Sequence, residues 1–494
     1  LVSRFTGLFR DILISNVLGI SFVADAFFMA LRLPNVFRRI TAEGAFSSAF
    51  IPIFLKFFSG SKNKAITFAQ EVLYFLIISI TAITCLLQVL MPLVMYLMAY
   101  GFSDDPIKFN LTIIYAQITA PYILFISLSS LGVGILNSQG KYSVTSLSPI
   151  ILNIFLIVAL LLPIKDIILT GYILAFAVTI SGIFQFTLII FALKRSGYSL
   201  KLKKPKNYNK INKFLDRAKP QIGNGFALQV NILISGLIAS FEQGGISTLY
   251  YAERLYQLPL ALFGLSIGTV LLPTLSSLDP RKDLEEINIV IKKSLRFALI
   301  MSIPSAIGLS MVSIPLIEAI YQHGLFNSLN TLIVSKTLIA FSFGLPAFVL
   351  IKIYLPIFYS LGDTKSPFRY SLVSIIINIA LALFLFPKYG VIGLAISTSL
   401  SSWVNLFLLI NKLKDSTISI FLMKLDIDLL KIIIASFLMS LIIYFCSILM
   451  IDLSGILFLS ILILTGVISY FLILFLLGVL SKNDIPSIIR NIIF

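Results

Sequence analysis

Residues 70–98 read QEVLYFLIISITAITCLLQVLMPLVMYLM, and Glu71 is the only charged residue in this stretch. A helix of about 20 predominantly apolar residues is long enough to cross the hydrocarbon layer of a bilayer. The stretch is longer than that, so it predicts a transmembrane helix. Comparable apolar runs precede and follow it along the whole chain.

The composition extends this prediction to the whole protein. Of the 494 residues, 58% are hydrophobic and 12% are charged, and the mean hydropathy is +1.02. A soluble fold has too little polar surface here to cover itself, which excludes a cytosolic enzyme, a disordered chain and a nucleic-acid-binding domain despite the net charge of +17. Cys85 and Cys446 lie in apolar runs and His323 is the only histidine, so no disulfide framework, metal site or histidine-based catalysis is expected.

Fourteen apolar runs predict fourteen membrane spans. The second, eighth and tenth runs are longer than a bilayer requires and contain prolines, which predict bends. Residue 1 is Leu and the apolar pattern is already present there, so we expect the chain to begin inside its first helix. The predicted spans are 1–19, 24–57, 70–98, 109–136, 143–163, 167–193, 214–240, 246–275, 289–320, 328–359, 366–386, 390–411, 429–450 and 455–480.

The loops between these spans alternate in charge. The segment 194–213 contains eight lysines and arginines and no acidic residue, whereas intervening loops contain Asp104, Asp105, Glu242 and His323. The positive-inside rule places the basic loops, and with them both termini, in the cytoplasm. A second interpretation of the segment 194–213, that it binds lipid head groups, remains open.

Several local patterns recur at an offset of 219–223 residues, which indicates an internal repeat. Each copy has six helices, and an even number gives both copies the same orientation in the membrane. The pairs are Phe27-Phe28 with Tyr250-Tyr251, Pro52 with Pro273, Gly101 with Gly324, Gly140 with Gly362, and Gly171 and Thr179 with Gly390 and Thr398.

The repeat predicts an all-α polytopic membrane protein with two parallel six-helix lobes and two further helices. The expected divisions are an N-lobe at 1–193, a basic cytoplasmic linker at 194–213, a C-lobe at 214–412, and helices 13 and 14 with a short tail at 413–494. Two parallel lobes are typical of a transporter with a central cavity. The last two helices are interpreted either as a packing pair or as a groove for an acyl or polyprenyl tail.

Ionisable residues within the spans point to the substrate, because such residues usually face a cavity or a partner. Arg32 and Arg39 have acids in helical register, and Arg39 is predicted to pair with Glu43. Four other arginines are less easily neutralised locally and are predicted to form a cationic cavity wall. Guanidinium groups bind phosphate in a bidentate manner, so an anionic phosphate or diphosphate substrate is expected. The four are Arg4, Arg10, Arg38 and Arg254.

A membrane-embedded transferase is the alternative from another class. It would require a general base or an acidic metal-binding cluster at one membrane face. The nearest candidates, Asp104-Asp105 and Glu285-Glu286, are predicted to lie on opposite sides of the membrane. The sequence therefore predicts a transporter and no enzyme.

Six motifs resemble those of one known family. They are SRFTGLFRD at 3–11, ADAFF at 24–28, LPNVFRRI at 33–40, AEGAFS at 42–47, YYAERL at 250–255 and GTVLLP at 268–273. The chain thereby resembles the MurJ (MviN) family of lipid II flippases, which belongs to the multidrug/oligosaccharidyl-lipid/polysaccharide exporter superfamily. The resemblance extends over essentially the whole chain.

The resemblance implies fourteen helices and alternating access, in which the undecaprenyl-diphosphate-linked peptidoglycan precursor passes from the cytoplasmic to the periplasmic leaflet of the bacterial inner membrane. It implies that the head group binds in the cationic cavity and that helices 13 and 14 form a groove for the tail. A superfamily exporter of another polyprenyl-linked saccharide or small molecule remains the alternative. The residues implied to bind substrate are Arg4, Arg10, Arg38 and Arg254, with Ser3, Asp25, Asn35, Glu43 and Ser247 at further cavity positions.

The resemblance also implies energetics and partners. Transport in the family is sensitive to membrane potential, and no cofactor is expected. Sodium coupling is not assigned, because Asn231 and Asn378 stand where carboxylates of a sodium site are expected. The expected partners are lipid II, membrane lipids and proteins of cell-wall synthesis or division, with no nucleic acid, and the chain is expected to be a monomer.

Overall fold

The structure is a computed structural model, and it describes residues 2–40, 46–205, 208–279, 282–413, 427–450 and 455–480. Every regular element within these residues is helical, and they contain no strand. The predicted all-α class is therefore confirmed. The chain divides into two compact units, Leu1–Ser247 and Thr248–Phe494. The predicted lobe boundaries at 193 and 214 stay a prediction.

Within its described residues, the first unit contains nine helices and the beginning of a tenth. A short 3₁₀ turn, Tyr100–Phe102, connects α4 and α5. The helices are α1 Val2–Leu18, α2 Phe22–Ile40, α3 Phe46–Gly60, α4 Lys62–Met98, α5 Pro106–Thr119, α6 Pro121–Ser138, α7 Tyr142–Leu160, α8 Ile167–Arg195, α9 Asn209–Ala239 and α10 Gly245–Pro259.

The second unit continues from α10 through a π-helical segment, Leu260–Leu265. This segment directly follows Pro259, and the bends predicted at the prolines of the long spans stay a prediction. The later helices are α11 Ser266–Ser276, α12 Leu284–Met311, α13 Ser313–Tyr321, α14 Ser328–Ser360, α15 Lys365–Leu413, α16 Ile427–Leu449 and α17 Gly455–Leu476.

Most of the predicted spans correspond to helices. The stretch 70–98 lies within α4, whereas the span 24–57 corresponds to two helices, α2 and α3, with residues 41–45 outside the described part. The spans 366–386 and 390–411 both lie in α15 and meet at Gly390, whose φ of 55° is in the left-handed region that favours glycine. By length and composition, nine helical stretches in the described ranges are able to cross a membrane, and two of them join consecutive helices, α5 with α6 and α10 with α11. The number fourteen stays a prediction.

The internal repeat is visible in the way two helices end. Gly140 follows α6 with φ 73°, and Gly362 follows α14 with φ 77°. The next backbone N–H donates to the carbonyl five residues earlier in both places, from Lys141 to Leu136 and from Asp363 to Phe358, each at 3.0 Å. Both helices thus end in the same glycine-dependent turn at the same offset, as the sequence pairing predicts.

The core of the first unit contains a cluster of stacked aromatic rings. Phe50 lies 5.4 Å from Phe54 and 5.6 Å from Phe68 between ring centroids, and all three side chains are fully buried. These residues come from α3 and α4, and residues of α6 and α8 belong to the same cluster. Stacked rings at these distances stabilise helix packing beyond the effect of buried area.

Candidate substrate-binding site

Arg10 of α1 is buried and contacts the side chains of Asp11 and Asn153. Its Nε and Nη2 atoms donate to Oδ1 of Asp11, at 3.0 and 2.6 Å, and its Nη1 atom donates to Oδ1 of Asn153 at 2.9 Å. Only 8% of Arg10 and 2% of Asp11 are exposed. Arg10 was expected to be less easily neutralised locally, but the adjacent carboxylate of Asp11 neutralises it. Its place in the cationic cavity wall stays a prediction.

Asn153 of α7 connects three positions of α1. Besides accepting from Arg10, its Nδ2 atom donates to the carbonyl of Ser3 at 3.2 Å and to Oγ1 of Thr6 at 3.1 Å. Sequence analysis did not single out this residue, since an asparagine in an apolar run gives no charge signal. Asn153 fixes the rotation of α1 relative to α7 and thereby the direction of the Arg10 guanidinium.

Arg4 has a different environment from Arg10. It is exposed, and within the described ranges it forms no hydrogen bond or ion pair. Helical spacing places Arg4 and Asp11 on one face of α1, but Asp11 pairs with Arg10 instead. Arg4 thus retains a full positive charge without a protein counterion in the part of the chain that the structure describes.

Asp25 of α2 is completely buried and is surrounded by donors. Oδ2 accepts from Nζ of Lys108 at 2.7 Å and from the backbone N–H of Gly244 at 2.8 Å. Oδ1 accepts from the backbone N–H and the hydroxyl of Ser247, at 2.9 and 2.6 Å. The Lys108 ammonium also lies 3.9 Å from the centroid of the Phe102 ring. The structure thus brings two predicted site residues, Asp25 and Ser247, into direct contact.

The carboxylate of Asp25 also stands at the beginning of α10. It accepts from Gly244 and Ser247, whose backbone N–H groups lie where a helix start leaves donors without helical partners. Lys108 was missed by sequence analysis, because the predicted span began at residue 109. The available signal was a single lysine directly after a helix start, next to the Asp104-Asp105 turn.

Two other charged residues of α2, Arg32 and Arg39, contact α9. Nη1 of Arg32 donates to the carbonyl of Ile232 at 3.0 Å, and Gly236 leaves the space that this guanidinium occupies. Nη1 of Arg39 donates to Oε1 of Gln229 at 3.4 Å. Glu43, the predicted partner of Arg39, lies outside the described residues. Two more predicted site residues of α2, Asn35 and Arg38, are partly buried.

Arg254 of α10 belongs to the second unit. Its Nη2 atom donates to the hydroxyl of Tyr250 at 3.1 Å, and its guanidinium carbon lies 4.7 Å from the centroid of the same ring. The residues are four apart, so they face the same side of the helix. A cation above an aromatic face keeps its charge while it is partly desolvated, which suits a guanidinium that meets an anion.

The two last helices are joined to α12 by polar contacts. The Arg296 guanidinium lies 3.1 Å from the carboxylate of Asp428 and donates to the carbonyl of Val479 at 2.6 Å. The hydroxyl of Tyr470 donates to the carbonyl of Ile300 at 2.7 Å. Asp428 lies at the start of α16, and Val479 follows the end of α17. The pair α16 and α17 is thus held to one face of α12 both where the pair begins and where it ends.

A helical fold with arginines, lysine and aspartate inside apolar helices is that of a polytopic membrane transporter. Solved structures share the helical fold. An inward-facing multidrug resistance MATE family transporter of the MOP superfamily is similar with a TM-score of 0.68 and 14% identity, over 82% of this chain and 92% of that one. At this identity the likeness shows the fold alone.

The particular family follows from closer matches. The family model described as "Lipid II flippase MurJ" matches residues 14–465. The chain therefore belongs to the MurJ family. A solved lipid II flippase MurJ in an inward closed conformation is similar with a TM-score of 0.80 and 30% identity, over 96% of both chains.

Curated relatives agree with this assignment. A probable lipid II flippase MurJ of Rhizobium tropici is 36% identical over 408 residues, which is 82% of this chain and 76% of the relative. Another from Rickettsia prowazekii is also 36% identical over 408 residues, which is 83% of this chain and 80% of the relative. The resemblance found in the sequence is thereby confirmed.

Proposed function

We propose that this chain translocates lipid II, the polyprenyl-diphosphate-linked precursor of peptidoglycan, from the cytoplasmic to the periplasmic leaflet of the bacterial inner membrane. The membership in the MurJ family carries this proposal. The chemistry of the residues agrees with it, because the charges placed inside the first spans include several guanidinium groups. The proposed mechanism is binding and release without covalent chemistry, so the chain acts as a transporter and not as an enzyme.

The proposed ligand of the arginines is the diphosphate of the lipid. A guanidinium keeps its charge at every physiological pH and offers paired donors to phosphate oxygens. Arg4 is the first candidate, since it carries its charge without a protein counterion among the described residues. Arg254 is the second, because its contact with Tyr250 leaves it charged. Arg38 and Asn35 of α2 supply the further donors that the resemblance implies.

We propose a separate role for Arg10. Its three donors to Asp11 and Asn153 make it a weak candidate for the first contact with an incoming anion. To bind a phosphate it has to exchange at least one of these partners, and the exchange costs part of the energy of a buried ion pair. Arg10 therefore binds substrate only once another arginine has brought the diphosphate close, and Ser3 lies about two turns nearer the start of the same helix.

Alternating access is the proposed transport cycle, with membrane potential as the driving force and without a cofactor. The positive charges of the site repel each other until an anion binds, so binding favours a different arrangement from the empty state. Each elementary charge that crosses the field contributes about 2.3 kcal/mol per 100 mV. With both termini in the cytoplasm, an inside-negative potential favours return of the unloaded, cationic site. Sodium coupling is left unassigned.

We further propose that α16 and α17 accommodate the polyprenyl tail. Their lengths of 23 and 22 residues suffice to cross the hydrocarbon layer, and their outward side chains are apolar. A tail beside the protein and a diphosphate within it together describe a lipid-linked substrate. The membrane lipids around the chain and proteins of cell-wall synthesis or division are the further partners that we expect for a monomeric flippase.

The test is complementation in a bacterium depleted of its own flippase. Arg254→Glu places a negative charge where the diphosphate is proposed to bind, so we expect no growth and no lipid II accessible at the periplasmic face. Arg369→Glu, an equal charge reversal at an exposed position of α15, is the matched control and should support growth. Growth with Arg254→Glu at normal protein level would show that the cationic site is wrongly assigned.

A further inference from the structure

A groove lies between α7 and α8 on the first unit, apart from the charged residues described above. Its volume is about 400 Å³. This is within the range of about 300–1,000 Å³ that small-molecule sites occupy. Thr187 is its only polar wall residue, and the Thr187 hydroxyl donates to the carbonyl of Ile183 at 2.8 Å. The other wall residues are Ile151, Ile154 and Phe155 from α7 and Phe184, Leu188 and Phe191 from α8.

The wall is open to the surroundings and, apart from Thr187, apolar. Phe184 is 54% exposed and Phe191 is 63% exposed, while the rings of Phe155 and Phe184 pack at 4.8 Å across the two helices. In a protein that spans the membrane, an exposed apolar concavity meets lipid hydrocarbon. The groove therefore fits an alkyl chain and offers a polar ligand only the Thr187 hydroxyl.

Three basic residues mark one end of the groove, and we call Lys141, Lys194 and Arg195 the basic rim. The Lys141 ammonium donates to the hydroxyl of Ser196 at 2.9 Å, which joins the start of α7 to the end of α8. Lys194 and Arg195 are exposed, and in the described part of the chain they form no ion pair or hydrogen bond.

The basic rim lies in register with the apolar wall. Phe184, Phe191 and Arg195 are separated by seven and four residues, so they fall on one face of α8. Arg195 is thus about 6 Å beyond Phe191 along the helix axis, at a rise of about 1.5 Å per residue. An apolar groove that ends in positive charge has the polarity of a phospholipid, whose acyl chain continues from an anionic phosphate.

We propose that this groove is a binding site for an anionic glycerophospholipid, with one acyl chain between α7 and α8 and the phosphate at the basic rim. By the positive-inside rule the basic rim lies on the cytoplasmic side, so the lipid comes from that leaflet. Basic pockets between helices on this side select anionic head groups. A zwitterionic lipid binds less well, because the positive group of its head is repelled by the same side chains.

The chain allows a direct measurement, since Trp403 is its only tryptophan. In a Trp403→Phe background, Phe184→Trp places a fluorescent reporter in the groove wall. Phe176→Trp is the matched control reporter, because Phe176 lies on the same helix and is also 54% exposed but is not part of the groove. Each variant is reconstituted with brominated phosphatidylglycerol or brominated phosphatidylethanolamine, which quench tryptophan fluorescence on contact.

We expect the groove reporter to prefer phosphatidylglycerol by at least about fivefold, the gain that roughly one basic side chain near an anionic lipid supplies. The control reporter should show no preference. Neutralising the basic rim by Lys141→Gln, Lys194→Gln and Arg195→Gln should reduce the preference to below about twofold. Neutralising three other exposed cations of the following segment, Lys201→Gln, Lys203→Gln and Lys204→Gln, should leave it unchanged.

Three results would overturn the proposal. The first is equal quenching by the two lipids at the groove reporter. The second is an equal loss of the preference for phosphatidylglycerol in the basic-rim variant and in the control variant. The third is displacement of phosphatidylglycerol by an equimolar polyprenyl diphosphate. Native mass spectrometry of the unsubstituted chain in mixed micelles provides a second measurement that depends on no variant. Retention of phosphatidylglycerol over phosphatidylethanolamine supports the site, and equal retention contradicts it.

Discussion

The carboxylate of Asp25 and the ammonium group of Lys108 form an ion pair of 2.7 Å, with side chains that are 0% and 6% exposed. They are 83 positions apart in the sequence and belong to α2 and α5. Desolvation of two charges is costly, and their attraction offsets the cost only where further hydrogen bonds satisfy the remaining atoms. The N–H groups of Gly244 and Ser247 and the hydroxyl of Ser247 supply those bonds.

Removal of the cation alone should therefore be destabilising. We expect Lys108→Met to lower the free energy of unfolding by about 3 kcal/mol, the lower end for a broken buried pair, because Asp25 keeps three other donors. Thermal unfolding of the purified chain in detergent measures the effect. Lys201→Met, at an exposed position, is the control and should change stability by less than about 0.5 kcal/mol.

The same pair permits a double-mutant cycle. Asp25→Asn combined with Lys108→Met should cost clearly less than the sum of the two single substitutions, since the second change removes a charge that has already lost its partner. Additive losses would show that the two groups do not interact in the folded protein and would contradict the ion pair.

Asn153 should matter more than an uncharged residue of a lipid-facing helix normally does. Asn153→Leu removes its contacts with Arg10, Ser3 and Thr6, and we expect a loss of stability of about 2 kcal/mol. Asn153→Leu should fail to complement, as Arg10→Ala should. In Asn153→Leu the Arg10 guanidinium is present but no longer oriented. Asn110→Leu, on the exposed side of α5, is the control and should support growth. Full activity of Asn153→Leu would show that its contacts do not position Arg10.

The sequence predicts the helical class well, because hydropathy reports the solvent of each segment directly. The sequence predicts the ends of the membrane spans less well. Lys108 was excluded from the predicted span, since a charge ends an apolar run even where a buried partner neutralises it. Arg10 was expected to be less easily neutralised locally, but its long side chain reaches the carboxylate of the adjacent Asp11. Such contacts depend on side-chain reach, which no periodicity records.

The repeat illustrates the same limit. The hydroxyl of Thr179 donates to the carbonyl of Ile118, and the hydroxyl of Ser399 donates to the carbonyl of Ala340. These bonds correspond at offsets of 220 and 222, so each copy contains an equivalent contact between two helices. The sequence pairs Thr179 with Thr398, one position away from the residue that forms the bond. The sequence pairing with Thr398 rests on residue type alone. Which hydroxyl reaches the neighbouring helix depends on the direction of the side chain.

Gly101 should tolerate no larger side chain. A Cβ atom there would lie 2.5–2.6 Å from backbone atoms of Ser240 and Phe241, and backbone cannot rotate away as a side-chain end can. We expect Gly101→Ala to destabilise the first unit by about 3 kcal/mol, at the upper end for an overpacked site. Gly60→Ala is the matched control, because no atom lies within 4 Å of the added carbon. A melting temperature equal for both variants would contradict the close approach.

The attachment of α16 and α17 to α12 should depend more on the buried hydrogen bond of Tyr470 than on the ion pair between Arg296 and Asp428. Arg296 is 40% exposed and Asp428 is 32% exposed, so Asp428→Asn should cost less than about 1 kcal/mol and the loss should diminish at high salt. Tyr470→Phe removes a buried hydrogen bond of 2.7 Å and should cost about 1 kcal/mol at every salt concentration. Hydrogen exchange of α16 and α17 at low and high salt separates the two effects. A salt-dependent loss in Tyr470→Phe, or a large salt-independent one in Asp428→Asn, would reverse the assignment of which contact holds these helices.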